Sequence, residues 1–257
     1  MLLISKCEPD EVQPKDRYFR GSRFCEVELN SETLNLDAET IIQFFKMSHI
    51  IPKCVHLTAF DDFTGIGASD NYLSKLKIAC SLVERLCNEY NTPITLIVPV
   101  SESAQPNVLN SHVTALCSAL ECGELALTNC APYNLLNKPN TFGADYSLLE
   151  FLKQIHRPNV GLCVDIRNLK ANKTELRPFF CEASDYIMAV RVAGGNYLGP
   201  KTITSRLLLK EINNAIVASN FDGLTIIDVS EEDECKADNF SQQFKLIEDY
   251  CTFDFMW

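Results

Sequence analysis

The sequence has no Cys-x-x-Cys pair, no Walker-type Gly-Lys-Ser/Thr, and no Gly-x-Gly-x-x-Gly after its first apolar run. The missing glycine motifs remove support for the common nucleotide-binding folds. The missing cysteine pairs remove zinc-ligand spacing. Cations are scarce: 23 Lys and Arg stand against 34 Asp and Glu, a net charge of -11. Gripping a phosphate backbone draws on clustered Lys and Arg, so no nucleic-acid partner is expected. No apolar run reaches about 18 residues, which excludes a membrane-spanning helix. Met1 to Ile4 is too short for a signal core and runs into Lys6 and Glu8, so a cytoplasmic protein is expected. No repeat occurs at a fixed period and no linker interrupts the chain, so residues 1–257 are expected to form one domain.

Twelve cysteines are present, scattered and mostly among apolar neighbours. They read as free buried thiols in a reducing compartment, not as a disulfide framework. The stretch that organises the rest is Asn159-Val160-Gly161-Leu162-Cys163-Val164-Asp165-Ile166-Arg167-Asn168. Val160 to Val164 is the unbroken apolar run of a strand covered on both faces. Polar residues then collect at its C-terminal end, where parallel α/β folds place their ligands. The plainer alternative is a strand followed by a helix N-cap at Asp165.

Eight strands are expected: Leu2–Cys7, Phe24–Leu29, Cys54–Phe60, Ile94–Val100, Glu124–Asn129, Val160–Val164, Tyr186–Val192 and Gly223–Val229. Helical spacing of apolar residues marks 38–49, 71–90, 108–120, 145–156, 174–183, 204–219 and 236–250. Glu8 to Ser22 has two prolines and no helical period, so the first helix is short or missing. Strands alternating with helices imply a parallel sheet with right-handed crossovers. Eight such units in 257 residues favour an α/β fold closed into a single (β/α)8 TIM barrel.

Residues at the C-terminal ends of the strands are the candidates for the barrel mouth. They are Glu28, His56, Thr128, Asn129, Asp165, Arg167, Arg191 and Asp228. Each has an ordinary alternative: Glu28 can accept from loop amides, and His56 can be a satisfied core histidine. Their convergence from six strands carries more weight than any one of them.

These strand ends resemble the xylose isomerase-like superfamily of TIM barrels, which includes sugar-phosphate isomerases and epimerases and the endonuclease IV type of enzyme. Leu127-Thr128-Asn129 stands where that family has a Glu-Asn pair. The Asn159–Asn168 stretch stands where it has a run ending in Asp-x-x-His. Val190-Arg191-Val192-Ala193-Gly194 stands at its His-x-x-Asp, Leu198 to Ile203 resembles its glycine-rich loop, and Phe221 to Asp228 stands where it has Gly followed by Glu. The resemblance covers residues 124 to 230; before that only Glu26-Val27-Glu28-Leu29 and Val55-His56-Leu57 are similar. It implies a divalent metal held by Glu, Asp, His and Glu. At those positions this chain has Thr128, Asp165, Arg191 or Asn168, and Asp228. Two Asp and a Thr are a poor ligand set, and a guanidinium repels a cation. No metal is therefore expected in that place and no cofactor is implied; Arg191 is expected instead to bridge Asp165 and Asp228.

The resemblance implies an isomerase or epimerase acting on a small sugar or sugar phosphate. Asp165, Asp228, Glu28 and His56 would handle protons, while Arg191, Arg167, Asn129, Asn168 and Lys201 would bind the ligand. The alternative is a barrel without catalysis that binds a small molecule or a protein. Phosphodiester cleavage ranks below both, for want of several metal ions and a basic face. The sequence is compatible with a homo-oligomer.

Overall fold

In the computed structural model, eight parallel strands close into a barrel in the order β1 to β8. The residues described are 2–7, 24–29, 34, 36–57, 65–68, 73–130, 139–143, 145–193 and 203–228. The strands are β1 (Leu2–Cys7), β2 (Phe24–Leu29), β3 (Ile51–Leu57), β4 (Thr95–Pro99), β5 (Glu124–Thr128), β6 (Val160–Asp165), β7 (Ile187–Ala193) and β8 (Leu224–Asp228). Between them run α1 (Ala38–Ser48), α2 (Leu73–Tyr90), α3 (Pro106–Ala119), α4 (Asp145–Ile155), α5 (Ile166–Ala171), α6 (Leu176–Ala183) and α7 (Ile203–Ser219). The first β-to-β connection and the expected helix at 236–250 lie outside the described residues.

Alternation along each strand divides the core in two. One set of side chains packs between strands and helices: Val55, Leu57, Leu96, Val98, Leu125, Leu127, Leu162, Val164 and Val190 are buried there with the helix faces. On α2 the covered positions are Leu76, Ala79, Cys80, Leu82, Val83, Leu86 and Cys87, one face of a helix. The other set fills the barrel itself: Cys54, Ile97, Ala126, Cys163, Ala189 and Ile226 form a separate buried cluster. Four of these six are Cys or Ala, which leaves room inside the barrel for larger polar side chains.

Two local features set the register near that interior. The β2–β3 ladder shifts between Cys25 and Glu26, and the β6–β7 ladder shifts between Leu162 and Cys163. Such irregularities re-aim the side chains beside them. At Gly161 an added Cβ would lie 2.3 Å from the Tyr186 carbonyl oxygen, so only glycine lets β6 approach β7 this closely.

Strand β3 begins at Ile51, earlier than its apolar pattern suggests, because Pro52 is accommodated beside the β2 irregularity. The short helix α5, which follows Asp165 directly, has no apolar period long enough to announce itself. The eight cysteines whose side chains are described are all free, five of them buried. No helix among the described residues is long and apolar enough to cross a membrane.

Candidate functional site: a buried Glu–Arg–His centre under the barrel mouth

Glu26 stands in β2 opposite Cys54 of β3, with its side chain wholly buried inside the barrel. Arg191 on β7 reaches it from across the barrel, Nη2 lying 2.7 Å from Glu26 Oε2. Arg191 is itself only 3 % exposed. A buried carboxylate without a cation would be costly; this geometry supplies one by a charge-assisted hydrogen bond. The second oxygen, Glu26 Oε1, lies 3.7 Å from His56 Nδ1. His56 sits two residues beyond Cys54 toward the C-terminal end of β3, and its side chain is 16 % exposed. Of the three it is the one that reaches toward solvent.

The neighbouring thiols complete the floor. Cys54 Sγ donates to Glu26 Oε2 at 3.8 Å. Burial pushes the Cys54 thiol well above the ordinary range, and the Glu26 charge adds to that. Burial likewise pushes Cys163 up to about 12, against the opposing pull of Arg191. Both thiols are neutral at physiological pH and serve as small packing groups rather than nucleophiles.

Asp165 plays a different part. Its Oδ1 accepts from the backbone N–H of Arg167 at 2.7 Å and of Asn168 at 3.4 Å, capping α5. Its Oδ2 meets Arg167 Nη2 at 3.2 Å. The carboxylate thus satisfies the open N–H groups of a helix start, as in the plainer reading of this stretch. Arg191, expected to bridge Asp165 and Asp228, pairs with Glu26; the side chain of Asp228 lies outside the described residues. Arg191 and Asp165 are paired in register on adjacent strands.

Asn129 and Asn168 are likewise built into the frame. Asn129 Oδ1 accepts from Asp165 N–H at 2.6 Å, while its Nδ2 donates to the Asp165 carbonyl at 3.2 Å and to Asp145 Oδ1 at 3.0 Å. This side chain continues the β5–β6 ladder past the last residue of β5. Asn168 Nδ2 donates to the Asn129 carbonyl at 2.7 Å. Asp145, at the start of α4, also accepts from Asn172 Nδ2 at 2.9 Å and Thr174 Oγ1 at 2.7 Å. Its charge is held by three neutral donors and a helix N-terminus. Arg167 is about half exposed at the rim. Glu28 and Asp228 occupy C-terminal positions of β2 and β8, two residues past Glu26 and Ile226; their side chains, like Lys201, lie outside the described residues.

Of the residues at the resemblance's metal positions, Thr128, Asp165, Asn168 and Arg191 are described, and the side chain of Asp228 is not. Thr128 is neutral, both oxygens of Asp165 are engaged by donors, and Arg191 brings a positive charge to the spot. Among the described residues, no group of three or more His, Cys, Asp or Glu is placed to hold one. Sequence reasoning passed over Glu26 in favour of Glu28; the signal available was the Glu-Val-Glu alternation, which puts both on one face. Outside the barrel, an apolar cleft of ≈ 250 Å³ lies between α1 and α2, lined by Leu36, Ile41, Ile78 and Leu82 among others. Asp37, its one titratable lining residue, caps α1 by accepting from Glu39 N–H at 2.8 Å and Thr40 N–H at 3.1 Å. The cleft carries no chemistry of its own.

Neither a family model nor a curated protein sequence matches the chain. Solved structures do. D-allulose 3-epimerase from Methylomonas sp., in complex with D-allulose, is similar over 97% of both chains at 13% identity, with a TM-score of 0.72. The IOLI protein with a binding zinc atom is similar over 99% of this chain and 100% of its own, at 13% identity and a TM-score of 0.69. AP endonuclease, family 2, from Brucella melitensis is similar over 88% of this chain and 92% of its own, at 11% identity and a TM-score of 0.66. A xylose isomerase domain protein from Alicyclobacillus acidocaldarius subsp. acidocaldarius is also similar, with a TM-score of 0.67. The chain has the fold of the xylose isomerase-like TIM barrels, at identities that speak to fold alone.

Proposed function

We propose that the barrel mouth binds a small sugar or sugar phosphate and isomerises or epimerises it by proton transfer, without a divalent metal. The observation that carries this reading is the Glu26–Arg191 pair with His56 beside it. Such chemistry needs a group to take a proton next to a carbonyl, a group to return it, and positive potential for the oxygen that gains charge. His56 is the partly exposed proton carrier of the centre. Arg191 supplies positive potential from below. Glu28 and Asp228, at the ends of β2 and β8, are the further acid–base candidates, and Arg167 and Lys201 the candidates for an anionic substituent. The substrate class is supported by the fold's similarity to D-allulose 3-epimerase, solved with its sugar.

A buried ion pair is weak as a source of stability: replacing one with apolar residues of similar volume is often neutral or stabilising by about 1–4 kcal/mol. A barrel already filled with Cys, Ala and Ile has an apolar solution at hand. Retaining Glu26 and Arg191 in it points to use rather than to packing. A second reading, binding without turnover, draws on Asp165, Asn129 and Asn168, whose polar atoms hold the frame.

One experiment separates these readings. The protein is incubated in D2O with a panel of ketoses, aldoses and their phosphates, with chelator or with added manganese. Deuterium entering a carbon-bound position, unchanged by chelator and lost in His56→Asn, is the expected result. Saturable binding with no exchange would leave the binding-only reading standing. Exchange that depends on manganese, or stoichiometric zinc or manganese in the purified protein, would overturn the metal-free assignment.

A further inference from the structure

We propose that His112 latches a strap at the rim of the barrel mouth: its imidazole, with the hydrogen on Nε2, holds the Gly65–Gly67 turn against the open end of β4, and this turn opens separately from the barrel beneath it.

The strap fills a place that β3 leaves vacant. The β3–β4 ladder runs up to His56, opposite Ile97. Three positions farther along the β4 chain, Ile66 pairs in parallel with Val100. The backbone shows which edge it takes. Glu124 N–H donates to the Ile94 carbonyl, so even-numbered residues along β4 bond toward β5 and odd-numbered ones toward β3. Ile66 N–H donates to the Pro99 carbonyl at 2.9 Å, and Ser101 N–H donates to the Ile66 carbonyl at 2.9 Å. Both β4-side partners are odd-numbered. The strap therefore continues the wall on the side that β3 occupies lower down, toward the mouth from the His56 rung.

The turn is shaped for that place. Gly65 and Gly67 have φ of +116° and +98°, values that glycine holds without strain. A Cβ on Gly65 would lie 2.6 Å from both the Pro99 carbonyl oxygen and the Ser101 nitrogen. Ile66, between the two glycines, is wholly buried. Gln105, the N-cap of α3, donates its N–H to the Gly67 carbonyl at 2.8 Å.

The side-chain tie comes from within α3. His112 is 0 % exposed, and its Nδ1 accepts from the Gly67 N–H at 3.1 Å. A ring nitrogen that accepts carries no hydrogen, so the neutral imidazole has its hydrogen on Nε2. Taking that acceptor away strands the N–H of a buried residue, a cost that falls on the closed strap and not on the open one. The β4 edge under the strap lies beyond the last β3–β4 rung, so the strap can part from it while the ladder below stays paired.

Long-range nitrogen-15 correlation spectra of the full wild-type chain, with the His112 signals assigned by their loss in His112→Asn, read the tautomer. Nε2–H at His112 supports the latch; Nδ1–H overturns it. Native-state hydrogen exchange in low urea reads the strap. The Gly67, Ile66 and Ser101 amides should exchange with little dependence on urea, unlike the Leu125 and Leu162 amides of the barrel ladder. A dependence as steep as the ladder's would mean that the turn opens only with the whole barrel, and would overturn the strap. In His112→Leu the three strap amides should exchange on the order of 10–100-fold faster than in wild type. His112→Asn, whose side-chain oxygen can accept in the same place, should recover most of the protection at Gly67. Unchanged Gly67 exchange in His112→Leu, or an Asn variant as fast as the Leu one, overturns the latch. Should His112→Leu fail to fold, the wild-type tautomer and the urea dependence of Gly67 exchange decide. All of these readings are made without substrate, so a latched strap in a protein inert toward the sugar panel would fault the proposed function and leave this inference standing.

Discussion

Arg191 Nη2 and Glu26 Oε2 lie 2.7 Å apart although 165 positions separate them in the chain. The bond joins β7 to β2 through the inside of the barrel, where both side chains are buried. It ties the first quarter of the barrel to the last without passing through any helix. Tertiary closure is therefore a condition of its existence: no local segment can make it.

Breaking that bond from one side leaves a buried charge behind. Arg191→Gln should lower stability by about 3–5 kcal/mol, as for other buried pairs cut in half. Glu26→Leu combined with Arg191→Met should recover most of the loss, because neither charge remains. Urea unfolding of Glu26→Leu, Arg191→Met and their double variant gives the coupling energy. Additive losses would mean that the pair is not the unit described here.

Much of the barrel could be read from local pattern. Val160 to Val164, Thr95 to Val98 and the spaced apolar face of α2 each state their element within a few residues. The centre was harder to read, for two physical reasons. Which side chain of β2 meets Arg191 depends on the stagger between strands, a property of the closed barrel and not of either strand. Asp165 at a strand end looks the same whether it serves a ligand or a helix cap; only the positions of the Arg167 and Asn168 N–H groups distinguish the two.

The cap makes its own prediction. Asp165→Ala removes the acceptor for the start of α5 and should cost about 0.5–2 kcal/mol. Asp165→Asn keeps an equally good cap and should unfold close to the wild-type midpoint. Turnover in Asp165→Asn should also persist, since the carboxylate already serves α5 and Arg167. Loss of sugar exchange with unchanged stability would instead mark Asp165 as an acid–base group.

Asn129 should prove the more sensitive of the two asparagines at the mouth. Its side chain meets Asp145 and both backbone groups of Asp165 while 3 % exposed. Asn129→Ala strands several buried groups at once, each costing about 1–3 kcal/mol. Asn168→Ala removes one partly buried bond to the Asn129 carbonyl and should cost only about 0.5–1.5 kcal/mol. Thermal unfolding of both variants tests the order; equal losses would show that the β5–β6 ladder does not depend on the Asn129 clamp.

The buried thiols predict how stability depends on alkaline pH. In the unfolded chain a cysteine ionises near 9.0, whereas burial holds Cys163 and Cys80 up to about 12 and Cys130 and Cys87 up to about 11. Above pH 9 the folded state therefore binds more protons than the unfolded one, and stability must fall as pH rises. The contribution is fully present below pH 9 and is lost as pH climbs through the folded values. Each thiol that ionises only on unfolding adds a slope of up to about 1.4 kcal/mol per pH unit. Urea midpoints at neutral pH and at several values above 9 should trace this decline, and Cys163→Ala should make it shallower. Alkylation gives the companion result: exposed Cys122 and Cys181 should react in the native protein, while Cys54 and Cys163 should react only as it unfolds. Rapid native labelling of Cys163 would mean that the barrel floor is open to solvent, and the neutral, packed role assigned to that thiol would fail.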